Sequence, residues 1–245
     1  MSKNLVGMVQ RALVVLVSPA MLVAGCGDDD GGASTASDQE VADGAIAAVE
    51  QSLRADGFAP ASDEDEGGDL VFESEECRDF DQAFPGDDGG VPGETASAEI
   101  EDFERGEPAP GGVQETVQAF AGFVEERDDL DPILQLLTDE RLGRCLEEAF
   151  RIGVDKAAAE DQATVAVGDV EIEQLGSEEF GDRGGGIKLT GEVTASGFAV
   201  PFSLAFQGVQ VDRALVGIFT SGVGSGEPIA DRATLLEILV DGVST

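Results

Sequence analysis

Residues 187–206 read IKLTGEVTASGFAVPFSLAF. Ile187, Leu189, Val193 and Ala195 alternate with Lys188, Thr190, Glu192 and Thr194, the period-2 pattern of a strand with one buried face. Ser196-Gly197 is a two-residue turn signal, after which Phe198, Val200, Phe202, Leu204 and Phe206 alternate again. The stretch is a hairpin with one apolar face. Pro201 brings no backbone donor to a ladder, so its strand is expected at a sheet edge or bulged. Residues 214–219 (ALVGIF) read as a third, more central strand. An earlier strand spans about 163–175, with Gly168-Asp169 as a candidate bulge.

Helical patterns flank this β region. Ser37 and Glu40 have capping-box spacing, and Val41, Ala45, Ile46, Val49 and Leu53 then form one stripe ending at Asp56-Gly57. Leu70–Phe72 reads as a short strand running toward Cys77, and Ala98 and Ile100 suggest another. Residues 113–127 carry two readings. Val113, Val117, Phe120, Ala121 and Val124 fit a helix face, while the apolar run Phe120–Val124 fits a buried strand equally well. Asp131-Pro132 reads as N-cap and N1 of a helix that buries Ile133, Leu134 and Leu137. Thr138 is placed to cap the next helix, with Leu142, Cys145, Leu146, Ala149 and Phe150 on one face. Pro228 is expected to open the last helix, with Ile229, Ala233, Leu236, Leu239 and Val240 inward. The order of elements predicts an α+β fold: a mainly antiparallel sheet with helices packed on it, an α/β sandwich. It is read as a single domain over residues 38–245.

The N-terminus has a different character. Residues 1–11 carry Lys3 and Arg11 and no acid, residues 12–23 are apolar apart from Ser18 and Pro19, and Ala24-Gly25 precede Cys26. This is the layout of a signal peptide over residues 1–25, too short in its apolar core for an ordinary membrane span. Leu22-Val23-Ala24-Gly25-Cys26 resembles the lipobox of bacterial lipoproteins. The resemblance implies cleavage before Cys26 and diacylglycerol on its thiol, hence a chain held at the outer face of the cell membrane. Two acyl chains give stable anchoring where one gives only marginal binding. Residues 26–37 follow as lipidated cysteine and flexible tether, preceding the domain.

Beyond residue 25 there are 12 basic residues against 51 acidic, a net charge of −39. Such a charge repels nucleic acid and anionic head groups. Cys77 and Cys145 remain as an even pair in an exported chain and are expected to be bonded, the alternative being two buried free thiols. Histidine is absent, which excludes Ser-His-Asp and Cys-His arrangements and most catalytic zinc sets. No catalytic residue is assigned. Carboxylates are so numerous that pairs close in sequence carry little meaning. Asp63, Asp65 and Asp69 offer oxygen ligands of the kind calcium takes, but the twelfth position from Asp63 is Ser74, so EF-hand spacing fails. No metal or cofactor is assigned. Trp and Tyr are absent, and Phe198, Phe202 and Phe206 read as core rather than as a ligand-stacking box.

From about residue 70 to 243, the chain resembles the extracellular sensor-type domain of PknH-like kinases and related actinobacterial lipoproteins. The matching features are Cys77, Cys145 inside a helix after an apolar segment, Gly181-Asp182 in the following β region, and a strand hairpin. A final helix after the Gly-rich turn Gly222–Pro228 completes the match. The resemblance implies an α+β sandwich with a cleft, a ligand-sensing role, and a strand rather than a helix over 113–121. No kinase segment accompanies the match, and the second disulfide of some members is missing. The expected function is therefore a non-enzymatic surface lipoprotein that binds a small molecule or an envelope protein. The alternative is a lipid or glycolipid carrier, with a cavity behind Val200, Phe202 and Leu204.

Overall fold

The computed structural model describes residues 36–61, 72–81, 91, 93–106, 113–160, 163–177, 180–195, 197–224 and 231–244. The signal peptide, Cys26 and most of the tether lie outside these residues, as does the acidic loop of Asp63, Asp65 and Asp69. Among the described residues, five α-helices accompany seven strands. These are α1 (Ala36–Ala55), β1 (Ala59–Pro60), α2 (Glu75–Asp81), β2 (Glu94–Gly106), β3 (Gln114–Val124), α3 (Asp131–Thr138), α4 (Arg141–Glu160), β4 (Val165–Leu175), β5 (Arg183–Ala195), β6 (Phe198–Val211), β7 (Ala214–Val223) and α5 (Arg232–Val243). The strands form one sheet in the order β1-β2-β3-β7-β6-β5-β4, and every neighbouring pair is antiparallel. The fold is α+β, as expected.

Helices cover both faces of the sheet. On one face, α1 and α5 bury Ala45, Val49, Leu53, Leu236 and Leu239 against Val117, Ala119, Val216 and Ile218. The two helices approach so closely that a Cβ at Gly242 would stand 2.7 Å from that of Ala45. On the other face, α2 and α4 bury Cys77, Cys145, Ala149 and Phe150 against Ile187, Leu189, Phe202 and Leu204. Here α3 adds Ile133, Leu134 and Leu137 over Leu215.

The hairpin forms as its alternation dictates. β5 and β6 pair from Ala195↔Phe198 to Arg183↔Gln210 around a turn in which Gly197 takes φ 84°, and β4 carries a register shift between Val167 and Val170. Pro201 needs a correction: β6 is an interior strand, flanked by β5 and β7. It tolerates proline because β7 ends opposite Phe202. Residues 198–201 thus form a local edge within an interior strand.

Other boundaries shift for identifiable reasons. α1 already includes Ala36, so Ser37 lies within its first turn instead of capping it. A 3-10 turn over Arg127–Leu130 runs straight into α3, making Leu130 the N-cap and Asp131 the first helical residue. Thr138 does not cap α4. Its hydroxyl donates back to Leu134 and Gln135 carbonyls, and Asp139 instead accepts from the Arg141 amide at 2.8 Å. Asp231 caps α5 and shifts its start to Arg232, so Ala233 is exposed while Leu235, Leu236, Leu239 and Val243 face inward. Of the short strand expected at 70–72, only Phe72 is described. It is not in a strand, and Cys77 sits on the helix α2 that follows.

Candidate functional site

Cys77 and Cys145 are bonded, with S–S 2.07 Å and Cα–Cα 5.3 Å. The bridge joins α2 to α4, helix to helix. Ser74 caps α2 by accepting from the Cys77 amide at 3.2 Å. Glu148 on α4 accepts from the amides of Glu73 and Ser74 at 2.6 and 2.8 Å and from the Ser74 hydroxyl at 2.5 Å. Burial pushes the Glu148 carboxyl up, but the Ser74 and Glu73 hydrogen bonds, aided by Arg78, outweigh it and hold it below the usual range. The disulfide and this carboxylate together fix α2 at one side of the sheet. Phe72, Cys77 and Phe80 share a core with Phe219 and Val223 of β7.

Beside that core lies β3. Its odd positions, Val117, Ala119, Ala121 and Phe123, pack under α1 and α5. Its even positions, Gln114, Thr116, Gln118 and Phe120, project from the opposite face, because side chains alternate along a strand. Three of these are polar, yet Gln114, Thr116 and Gln118 are all buried. The ladder sets buried Ser221 of β7 opposite Thr116, and Glu104 of β2 on its other side. Gln118 Nε2 donates to Asp102 Oδ1 at 2.5 Å. Gln114 is only 6% exposed, and its Oε1 has no hydrogen-bond partner. Buried amides almost always find partners, and an orphaned one costs about 1–3 kcal/mol.

Phe120 closes the row. Its ring lies against the backbone of Gly217, where a Cβ would come within 2.1 Å. It stacks toward Phe206 at a centroid distance of 6.5 Å and an interplanar angle of 18°. Beyond it is a small cleft lined by Val91, Glu94, Ser97, Phe123, Leu130 and Leu215, among others. Ser97 Oγ donates to Glu94 Oε1 at 2.7 Å. Burial nevertheless raises the Glu94 carboxyl above its ordinary value, overcoming the Ser97 and Val91 hydrogen bonds that lower it. The strip thus offers amides, hydroxyls, one aromatic face and one carboxyl of raised pKa, a set suited to hydrogen-bonding a polar molecule.

The three phenylalanines of the hairpin separate. Phe202 is core, with its ring 4.2 Å from that of Phe150. Phe206 is half-buried beside Phe120, while Phe198 is 71% exposed at the hairpin tip. Leu204 is buried in the same core as Phe202. Gly181-Asp182 serves the strand geometry: the Asp182 amide donates to Gln210 O at 3.0 Å, and its carboxylate pairs with Arg127 at 3.1 Å. Among the described residues no cluster of acids and cysteines could hold a metal, and no helix is long and apolar enough to cross a membrane. Gln114, Thr116, Gln118 and Ser221 escaped the sequence reading. Their signal becomes visible once 114–124 is taken as a strand, since three polar residues then share one face. Compared with known families, characterised proteins and solved structures, the chain matches none.

Proposed function

We propose that the chain is a surface lipoprotein, held at the outer side of the cell membrane by diacylglycerol on Cys26. Its domain is a non-enzymatic, sensor-like module that binds a small molecule or an envelope protein. The observation that carries the binding reading is the buried polar row of β3, with Gln114 Oε1 left unpartnered beside Thr116, Gln118 and Ser221. Such a row is costly in a closed core and useful beneath a ligand that supplies the missing donor. The carrier alternative is favoured less, because Phe150 occupies the space against Phe202 that an acyl chain would need.

Native mass spectrometry of the protein purified from its own envelope tests the reading. A bound small molecule or partner is expected on the parent chain and lost from a Gln114→Leu/Thr116→Val variant. Equal retention by the variant, or no bound species on either, would overturn the binding assignment. In the same preparations, labelled fatty acid should enter the parent chain and not a Cys26→Ser variant.

A further inference from the structure

The polar row of β3 is buried, so an element must lie over it. Across the ladder Gln114 stands beside Val223, Thr116 beside Ser221 and Gln118 beside Phe219. Ser221 is itself 3% exposed, between Phe219 and Val223 on one face of β7. Phe219 and Val223 belong to the core that also contains Phe72, Cys77 and Phe80. The apolar neighbours of the row thus share a core with α2 and the segment leading into it.

The orientation of α4 places α2 independently. A Cβ on Gly143 would meet Ile172 of β4 and Ile187 of β5 at 2.6 and 2.7 Å, so that side of α4 faces the β4 edge. At about 100° per residue, Glu148 and Cys145 point about 140° and 200° away from it. Both reach the α2 segment, Glu148 at Ser74 and Cys145 at Cys77. α2 therefore lies on the flank of α4 turned from β4, and in the strand order that flank is the side of β7 and β3.

Little of this hold belongs to α2 itself. The helix buries Cys77 and Phe80, and the segment before it buries Phe72. Three links to α4 do the rest: the covalent bridge, the Glu148 carboxylate on Ser74 and the Glu73 amide, and the exposed pair Glu76–Arg144. α4 is anchored in the sheet, with Phe150 on Phe202 and Arg151 donating to the Val167 and Gly168 carbonyls. When the non-covalent links open, α2 is the part that moves, as segments with few buried contacts do.

We infer that α2 is a clasped cover over the β3 row. It pivots on the Cys77–Cys145 bridge, opens when Glu148 releases Ser74, and so admits a ligand to Gln114, Thr116, Gln118 and Ser221. The bridge keeps the open helix beside its seat, and Glu148 closes it again. This inference rests on the binding reading of the row and adds its regulation.

Thiol labelling of the full-length protein in detergent tests it. The chain holds three cysteines; with Cys26 acylated and the other two bonded, a Thr116→Cys variant carries one free thiol. N-ethylmaleimide should modify it slowly, read at residue 116 by peptide mass spectrometry. Adding Glu148→Ala should speed the reaction about tenfold, the worth of one charge-assisted hydrogen bond, with Glu148→Gln in between. Val117→Cys, the next position on β3 but under α1 and α5, reports opening of the whole fold and should stay slow in every background. A Thr116→Cys rate unmoved by Glu148→Ala would overturn the cover. So would a rate already fast in the clasped chain, or one that rises only in step with Val117→Cys. The measurement uses no ligand, so it can fail while native mass spectrometry still finds a species bound through Gln114 and Thr116, and the reverse.

Discussion

Glu148 shows how one side chain can organise a segment that has little core of its own. α2 has seven residues, too few to hold a helix in isolation. Its first turn is satisfied from outside: Ser74 caps it, and Glu148 holds Ser74 through both backbone and hydroxyl. Glu148→Gln keeps one acceptor but loses the charge, and should cost about 1 kcal/mol at pH 7 after discounting for solvent. The sign with pH follows from linkage. The folded pKa lies below the ordinary value of 4.5, so the parent's advantage is fully present above that value and is lost as pH falls through the folded one. Denaturant midpoints of parent and variant should therefore differ at pH 7 and converge as the pH falls below the ordinary carboxylate range. A gap that persisted unchanged in acid would mean that the carboxylate charge is not what holds the cap.

The elements were legible in the sequence to different degrees, and the differences have physical causes. The β5–β6 hairpin and β7 could be read directly, because one buried face imposes strict alternation. β3 was ambiguous because both of its faces are covered, so its even positions are buried without being apolar. The helix that carries Cys77 leaves no periodic pattern in the sequence, because it is short and held mainly by outside contacts. That helix depends on the disulfide as well as on its cap. The bridge spans 68 residues, and on the chain-entropy account such a closure stabilises by about 4 kcal/mol. Cys77→Ser/Cys145→Ser should lower the unfolding free energy by an amount of that order, read from urea melts. Limited proteolysis of the same variant should cut first near α2, since β5, β6 and α4 keep their own packing around Phe150 and Phe202. Cleavage starting in β5 or β6 instead would place the bridge's contribution in the sheet.

At the scale of the whole molecule, charge and packing oppose each other. The core is continuous on both faces of a seven-stranded sheet, yet the chain carries a formal charge of −37. Like charges spread over a compact surface repel, and folding concentrates them. The surface ion pairs do little to compensate. Pairs such as Arg54–Glu50 and Arg144–Glu76 are largely solvent-exposed, and exposed pairs contribute about 0–1 kcal/mol each. Two effects of added salt therefore compete: it weakens these few attractions and screens many more repulsions. With 51 acids against 14 bases, the second effect is larger. Raising sodium chloride from about 0.02 to about 0.5 M, where the Debye length shrinks from about 20 Å to about 4 Å, should raise Tm by roughly 5 °C, or about 2 kcal/mol for a domain of this size. Differential scanning calorimetry at pH 7 reads the effect directly, and potassium chloride should match sodium chloride if screening is the cause. A flat or falling Tm would mean that specific attractions, not net repulsion, dominate this surface.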